Sequence, residues 1–151
     1  HSLTLDMETC NVCHPGVDDV TTIRVTTTDI PEVDYDGDTD VTEGIAYEIA
    51  TLEEALLVAI QDYALNVAGA PIGYDAHTYP YFFGDANSNG VFDADEGAYT
   101  SWTPTLLRAA YNYQWVQKDP GAFAHNGLYI IQVLYDSLAN VGADVTAYTR
   151  P

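Results

Sequence analysis

Positive charge is scarce in this sequence. Four Lys and Arg residues stand against 23 Asp and Glu, which gives a formal net charge of −19. Nucleic-acid binding requires a basic face, and docking on anionic lipid requires basic clusters, so the composition argues against both function classes. Two interpretations of the acidic excess remain: solubility in an extracellular or saline setting, and the binding of cations.

Long apolar runs are missing as well. A membrane-spanning helix needs about 18 apolar residues in succession. The longest candidate, 55–70, is interrupted by Gln61, Asp62 and Asn66, so we expect no insertion into a membrane. With 151 residues, of which 47% are hydrophobic, the chain is long and apolar enough for a single globular domain with its own core.

Cysteine is equally scarce, and both cysteines lie in one pentapeptide, Cys10-Asn11-Val12-Cys13-His14. This is the CxxCH sequence of c-type haem attachment, in which two thiols bond to the haem vinyl groups and the histidine ligates the iron. Other interpretations have less support. A redox dithiol normally lies between a strand and a helix, structural zinc needs a further ligand pair, and a disulfide does not need His14. We therefore predict one covalent haem c per chain, held by Cys10, Cys13 and His14.

The second axial position of the iron has several candidate ligands. Met7 lies too close to Cys10 in sequence to reach the opposite face of the haem. His125 precedes a predicted helix, His77 lies in an aromatic loop, and His1 is terminal. We favour His125, then His77, then His1. The absence of a protein ligand, or ligation of a neighbouring subunit's haem by His1 or His77, stays open.

Apolar spacing predicts a mainly α fold. It consists of three to four helices with long calcium-stiffened loops and at most a short strand or hairpin. We treat 1–33 as the haem-attachment segment and 34–151 as the helical part of one domain. The predicted elements are a short strand at 21–30, a helix over 42–67 with a possible joint at Thr51, a long structureless loop at 71–101, a helix from Thr103-Pro104 to Asp119-Pro120-Gly121, and a helix from Leu128 to about Asn140 capped by Asn126.

Residues 85–96 match the twelve-residue EF-hand calcium loop at each ligand position, with Gly90 where the chain turns sharply. No helical pattern flanks the loop, so we predict a structural calcium site and not a sensor. The alternative is an acidic turn without an ion. The predicted ligands are Asp85, Asn87, Asn89, the carbonyl of Val91, Asp93 and Glu96.

A second acidic loop occupies 34–43. Four aspartates alternate along it and a glutamate follows. Carboxylates this close repel one another unless a cation neutralises them, so a second calcium site is predicted, with a solvated loop as the alternative. Its ligands would be Asp34, Asp36, Asp38, Asp40 and Glu43.

The CxxCH motif and the stretches 34–48, 79–96 and 109–136 together resemble the C-terminal domain of exported multihaem c-type cytochromes of bacteria and archaea. In that family a His-Asn pair opening a helix often supplies a haem ligand, which favours His125; the usual following proline is Gly127 here. The resemblance implies electron transfer. Some extracellular cytochromes form filaments, and since this chain has one motif, a wire would require copies to stack.

Electron transfer through a bis-histidine haem is the predicted function, because a six-coordinate iron has no open site for a substrate. The alternatives are a five-coordinate haem enzyme or sensor, and a mainly structural, calcium-stiffened filament subunit. The sequence begins at His1 and not at Met, which we interpret as an exported chain whose signal peptide has been removed. An extracellular or periplasmic location follows, with redox proteins or neighbouring copies, in a homo-oligomer or filament, as partners.

Overall fold

The computed structural model describes residues 6–24 and 32–151, and the mainly helical prediction is confirmed. The described elements are α1 (Met7–Cys10), a 3-10 turn (Val20–Thr22), α2 (Ile45–Asn66), β1 (Ile72–Tyr74), β2 (Phe82–Gly84), α3 (Pro104–Gln117) and α4 (Ala122–Asn140). The division of the domain at residue 34 stays a prediction.

Helices α2, α3 and α4 pack on one another, and the contact between α2 and α4 is the most extensive. The apolar side chains of α2 recur every three or four residues and therefore form one buried stripe. Each fully buried Leu or Ile contributes roughly 1.5–3 kcal/mol relative to an exposed position. The stripe comprises Ile49, Leu52, Leu56, Ile60 and Ala64, and faces Leu106, Tyr113 and Val116 of α3 and Ile131, Leu134 and Leu138 of α4.

Two local sequence signals for helix ends, at Thr103 and Thr51, can be compared with the structure. The cap at Thr103 is confirmed: its hydroxyl accepts a hydrogen bond from the Leu106 N–H at 3.1 Å, with Pro104 in the first turn. The predicted joint at Thr51 is wrong, because α2 is continuous through this exposed residue. On the opposite, buried face of α2, the apolar residues Ile49, Leu52 and Leu56 continue past this position. Their packing keeps the helix continuous at Thr51.

Helix α4 begins at Ala122, six residues before the predicted start. The missed turn begins directly after Pro120, because Asp119 accepts hydrogen bonds from Gly121 N–H through its side chain and from Ala122 N–H through its carbonyl, both at 3.0 Å. Asn126 has non-helical torsion angles (φ −169°, ψ 69°) and interrupts the helix. The predicted boundary at Asn126 is therefore an internal kink.

The range 71–101 contains an antiparallel hairpin, so the prediction of a structureless loop is wrong there. Strand β1 pairs with β2 in the register Ile72 to Gly84, Gly73 to Phe83 and Tyr74 to Phe82. The Phe83 ring covers Gly73 so closely that a Cβ there would lie 2.2 Å from it. The ring of Tyr74 packs on Tyr113 of α3 at a centroid distance of 4.9 Å, so the hairpin adds an aromatic layer to the helical core.

The strand predicted at 21–30 is absent where the structure describes it. Residues 20–22 form a 3-10 turn, because the Asp19 carboxylate accepts hydrogen bonds from both the N–H and the hydroxyl of Thr21 at 2.8 Å. The remainder of the prediction, 25–31, lies outside the described residues.

Candidate haem and cation sites

The CxxCH motif folds as a helical turn. Helix α1 is capped by Asp6, which accepts a hydrogen bond from Glu8 N–H at 3.1 Å. The carbonyl of Cys10 then accepts hydrogen bonds from Cys13 N–H at 3.1 Å and His14 N–H at 2.9 Å. Cys10, Cys13 and His14 therefore share one hydrogen-bonded turn of backbone, but in the described part of the chain their Sγ and imidazole atoms do not all lie within 4.8 Å of one another. Both cysteines are free thiols, Cys13 exposed and Cys10 partly buried.

Asn11 fastens this turn, a role that the sequence reasoning missed. Its side-chain amide donates to the carbonyls of Met7 at 2.9 Å and Val17 at 2.8 Å. Its side-chain oxygen accepts from the N–H groups of Gly16 at 2.7 Å and Val17 at 3.0 Å. The motif treats this position as variable, yet four hydrogen bonds close the loop 11–17 through it. An Asn ahead of a Gly-containing turn was the available signal.

His125 is held by a carboxylate that follows the end of α3. Its Nδ1 lies 3.0 Å from Asp119 Oδ2, and 71% of its side chain is exposed. The hydrogen bond from His125 keeps the pKa of Asp119 below its ordinary value. The ring also passes close to Gly121, where a Cβ would lie 2.9 Å from Cε1. The absence of a side chain at Gly121 therefore makes room for the imidazole.

His77 is held much less firmly. Its side chain is 94% exposed, and its Nδ1 is 3.6 Å from Asp75 Oδ1, which is too long for a hydrogen bond. His1 lies outside the described residues. Within 6–24 and 32–151, no hydrogen bond or ion pair joins His14 to His77 or His125. The choice among the histidines thus stays a prediction, with His125 the better anchored.

The loop 85–96 has hydrogen bonds that fit a cation-binding turn. The buried Asp85 accepts from Asn89 N–H at 3.0 Å and from Gly90 N–H at 2.9 Å. Gly90 has φ +73°, a torsion angle that glycine adopts without strain. Glu96 folds back to accept from Ala86 N–H at 2.9 Å and Asp93 N–H at 3.0 Å. The first and last predicted ligands therefore close the loop.

The base of this loop is a pair of extended segments and not a pair of helices, as expected. Gly84 N–H donates to the Gly97 carbonyl at 2.9 Å, and Tyr99 N–H to that of Phe82 at 3.1 Å. Asp93 accepts from the side-chain amides of Asn87 at 2.9 Å and Asn89 at 3.0 Å. In the described chain, Asp85, Asp93 and Glu96 do not form a group whose oxygens all lie within 4.8 Å of one another.

The second acidic loop does gather its carboxylates. Oxygens of Asp36, Asp38 and Glu43 lie within 4.8 Å of one another, and so do those of Asp34, Asp36 and Glu48. Asp36 is 4% exposed. Among the described residues, its Oδ2 and the Oε1 of Glu43 are buried without a hydrogen-bond partner. Such oxygens carry a desolvation cost that a bound cation would offset.

Not every predicted ligand belongs to these clusters. Asp40 turns toward Thr42 instead, accepting from its N–H at 2.8 Å and from its hydroxyl at 2.7 Å. Those hydrogen bonds lower the pKa of Asp40. Asp34 belongs to the cluster with Asp36 and Glu48, and its two oxygens also accept hydrogen bonds from the N–H groups of Gly37 at 2.6 Å and Thr39 at 2.9 Å.

Glu48 and Arg24 were missed from the sequence and anchor the loop. Glu48 is fully buried and accepts hydrogen bonds from Tyr35 N–H at 2.8 Å and Asp36 N–H at 3.0 Å. Its other oxygen pairs with Arg24 at 2.5 Å, and Arg24 also donates to the carbonyls of Val33 and Glu43. A glutamate on the buried stripe of α2, four residues before Leu52, was the signal for a hidden partner.

Burial and the closeness of the carboxylates raise the pKa values of two side chains in this loop. Burial raises the pKa of Asp36. Burial first, and then the neighbouring carboxylates of Asp36 and Asp38, raise the pKa of Glu43 to about 7. Without a cation, the cluster therefore favours holding a proton near neutral pH.

Comparison with known proteins shows sequence similarity to polyheme c-type cytochromes. The C-type polyheme cytochrome OmcB of Geobacter sulfurreducens is 35% identical over 106 residues, covering 60% of this chain and 14% of that protein. The C-type polyheme cytochrome OmcC of the same organism is 31% identical over 109 residues, covering 64% and 13%. The chain is distantly similar to polyheme c-type cytochromes. It spans about one seventh of the length of these curated relatives.

Other comparisons leave this similarity without further support. No family model matches the chain, and no solved structure matches it. Within the described residues, no helix has both the length and the apolar character that crossing a membrane requires.

Proposed function

We propose that this chain carries one covalent c-type haem and transfers electrons through it. The observation that supports the proposal is the CxxCH sequence, in which both cysteines are free and the Cys10 carbonyl accepts hydrogen bonds from the N–H groups of Cys13 and His14. The similarity to polyheme c-type cytochromes supports it, because those proteins carry the same type of haem by name.

The residues present fit such a haem. The thiols of Cys10 and Cys13 would hold it through its two vinyl groups, and the imidazole of His14 would bind its iron. When bound, the haem supplies one-electron oxidation and reduction at that iron. The hydrogen bonds of Asn11 hold the turn 11–17 in shape, so the two thiols and His14 keep their relative positions.

His125 is the residue that we assign to the second axial position. An ionised carboxylate only accepts hydrogen bonds, so the proton of the neutral imidazole lies on Nδ1, toward Asp119. Nε2 is then the nitrogen with a lone pair for iron. Two imidazoles leave no open position, which favours electron transfer over an enzyme or sensor.

We propose further that calcium binds both acidic loops. For 34–43 the support is the set of converging carboxylates with unpartnered buried oxygens on Asp36 and Glu43. For 85–96 it is the match to the EF-hand template together with the closed hydrogen-bonded turn. Calcium loops of modest affinity suit a compartment where the ion is plentiful. An extracellular or periplasmic location, with redox proteins as partners, is part of this proposal.

Absorption spectroscopy of the purified chain tests the haem proposal. We expect a low-spin Soret band, a sharp α-band on reduction with dithionite, and no change with carbon monoxide. Cys10→Ala should leave one of the two haem vinyl groups without a covalent bond to the protein. His125→Ala should convert the spectrum to high spin, while the matched His77→Ala should leave it unchanged.

Each other result has a defined meaning. A carbon monoxide-binding spectrum in the wild type would favour the five-coordinate enzyme or sensor. A spectrum changed by His77→Ala and not by His125→Ala would transfer the axial role to His77. No haem absorption would overturn the proposal and leave a calcium-binding module with a dithiol.

A further inference from the structure

The acidic residues are unevenly distributed along the chain. Residues 1–96 contain 20 of the 23 Asp and Glu and a single basic residue, Arg24. Residues 97–151 contain three acidic and three basic residues, and none of the acids lies in 97–118. Helix α3 falls wholly inside this acid-free range. Helix α3 therefore carries no acidic side chain, whereas the stretch 1–96 is strongly negative.

Helix α3 exposes large apolar side chains that the core does not use. Leu107, Tyr111 and Trp115 follow one another at intervals of four residues along α3, with exposures of 52%, 70% and 38%. Trp115 stacks edge to face on Tyr129 of α4, with ring centroids 6.3 Å apart and Tyr129 52% exposed. These four residues form one surface, which we call the α3–α4 face.

Polar groups border the α3–α4 face, as they do at the rim of protein interfaces. A groove of about 680 Å³ runs beside it and is lined by Arg108, Asn112 and Tyr129, among others. Asp136 also lines this groove and is paired with Arg150 at 2.7 Å. This acid is thus neutralised by a basic neighbour.

We infer that the α3–α4 face binds a second copy of this chain. A basic partner would be drawn to residues 1–96, whereas two copies repel each other there. The neutral face is where two such molecules meet with the least repulsion. Two copies related by a two-fold axis would pack the α3 stripe of one on that of the other. This inference does not depend on the haem.

The size of the face predicts a weak dimer. A helix of 14 residues is about 21 Å long, and a neighbouring helix axis lies roughly 8–10 Å away. Two adjacent helices, each about 10–12 Å across, are together about 20 Å wide. The area is therefore on the order of 400 Å² per copy, below the roughly 800 Å² per partner of a standard stable interface. We expect a weak, reversible association.

Sedimentation velocity of the haem-loaded protein over a range of concentrations tests the inference. Leu107→Glu should raise the dimer dissociation constant at least tenfold. Leu65→Glu is the matched control, because Leu65 on α2 is 53% exposed against 52% for Leu107 and receives the same charge; it should change the constant less than twofold. Added NaCl should strengthen association by screening the net charge of −19 on each copy.

Three outcomes of the sedimentation experiment would overturn the inference. They are a wild type that stays monomeric at all concentrations, equal effects of the two leucine variants, and association that salt weakens. The absorption spectrum gives a separate control, since Leu107→Glu should leave the haem bands unchanged. If it shifts them, the face covers the chain's own haem and not a second copy.

Discussion

At the scale of single residues, the contact between Asp119 and His125 has the most direct chemical consequence. A carboxylate on the far nitrogen of a ligating imidazole orients the ring and makes it a stronger donor to the metal. Asp119 is itself fixed, since its other oxygen accepts from Gly121 N–H at 3.0 Å. A ligand that is a stronger donor stabilises the oxidised iron more than the reduced iron and so lowers the reduction potential.

Replacing Asp119 by Asn should therefore raise the reduction potential of the haem. A tenfold change in a one-electron equilibrium corresponds to about 59 mV, and we expect a rise of about 30 to 60 mV in a spectroelectrochemical titration. Asp75→Asn is the control, since Asp75 lies 3.6 Å from the His77 ring. Equal potentials for Asp119→Asn and wild type, with His125→Ala still high spin, would show that the carboxylate has no electronic role.

Glu53 leads to a prediction about pH. Burial raises its pKa to about 7, and its Oε1 has no hydrogen-bond partner among the described residues. It lines a small cavity with Ile49, Val116 and Phe123. Because the folded-state pKa lies above the unfolded value of 4.5, Glu53 supports folding fully below about pH 4.5, and this contribution is lost as pH rises through 7.

Glu53→Gln should remove that loss. With saturating calcium, urea unfolding at pH 5 and pH 8 should show a smaller decrease in the free energy of unfolding for Glu53→Gln than for wild type. The difference should be roughly 1–2 kcal/mol, since partial solvent exposure reduces the full effect. Glu54→Gln, at the exposed neighbouring position on α2, should behave like wild type. A wild-type pH dependence retained in Glu53→Gln would assign the raised pKa to other groups.

At the scale of elements, what could be predicted depended on how local the cause was. The cap at Thr103 rests on a residue three positions away and was predicted from the sequence, whereas the turn after Cys10, equally local, was not predicted. The hairpin pairs Tyr74 with Phe82 and rests on packing against α3, so no periodic pattern announced it. Glu48 and Arg24 meet across 24 positions, which is why the acidic loop was predicted without its anchor.

The prediction of a helix start at Asn126 was partly right. The sequence signal for a helix start there was real, because Asn126 does leave the helical conformation. The turn before it depends on Asp119, whose side chain restarts the helix after Pro120. The segment that ends α3 therefore also begins α4: only residues 118–121 separate the two helices, and Asp119 lies among them. This short segment is also what places His125 beside its carboxylate.

At the scale of the whole molecule, the net charge of −19 opposes the compact state through repulsion among the carboxylates. The two acidic loops together hold nine of the 23 acids. Monovalent salt weakens the repulsion among these carboxylates by screening all surface charges alike. A bound divalent ion would in addition form direct bonds to the carboxylate oxygens. Calcium and sodium should therefore differ at equal ionic strength.

Calcium in excess should raise the melting temperature by about 5 to 10 °C over the chelated protein, since a ligand at 100 times its Kd stabilises by about 2.7 kcal/mol. NaCl at equal ionic strength should give a smaller rise, because a monovalent ion binds the carboxylates of Asp36 and Asp85 more weakly than Ca²⁺ does. Asp36→Asn and Asp85→Asn should each reduce the calcium-induced shift. Asp18→Asn and Asp95→Asn remove the same charge at exposed positions outside the proposed ligand sets and should preserve it. Equal shifts in all four variants would mean that calcium acts through net charge and not through two built sites.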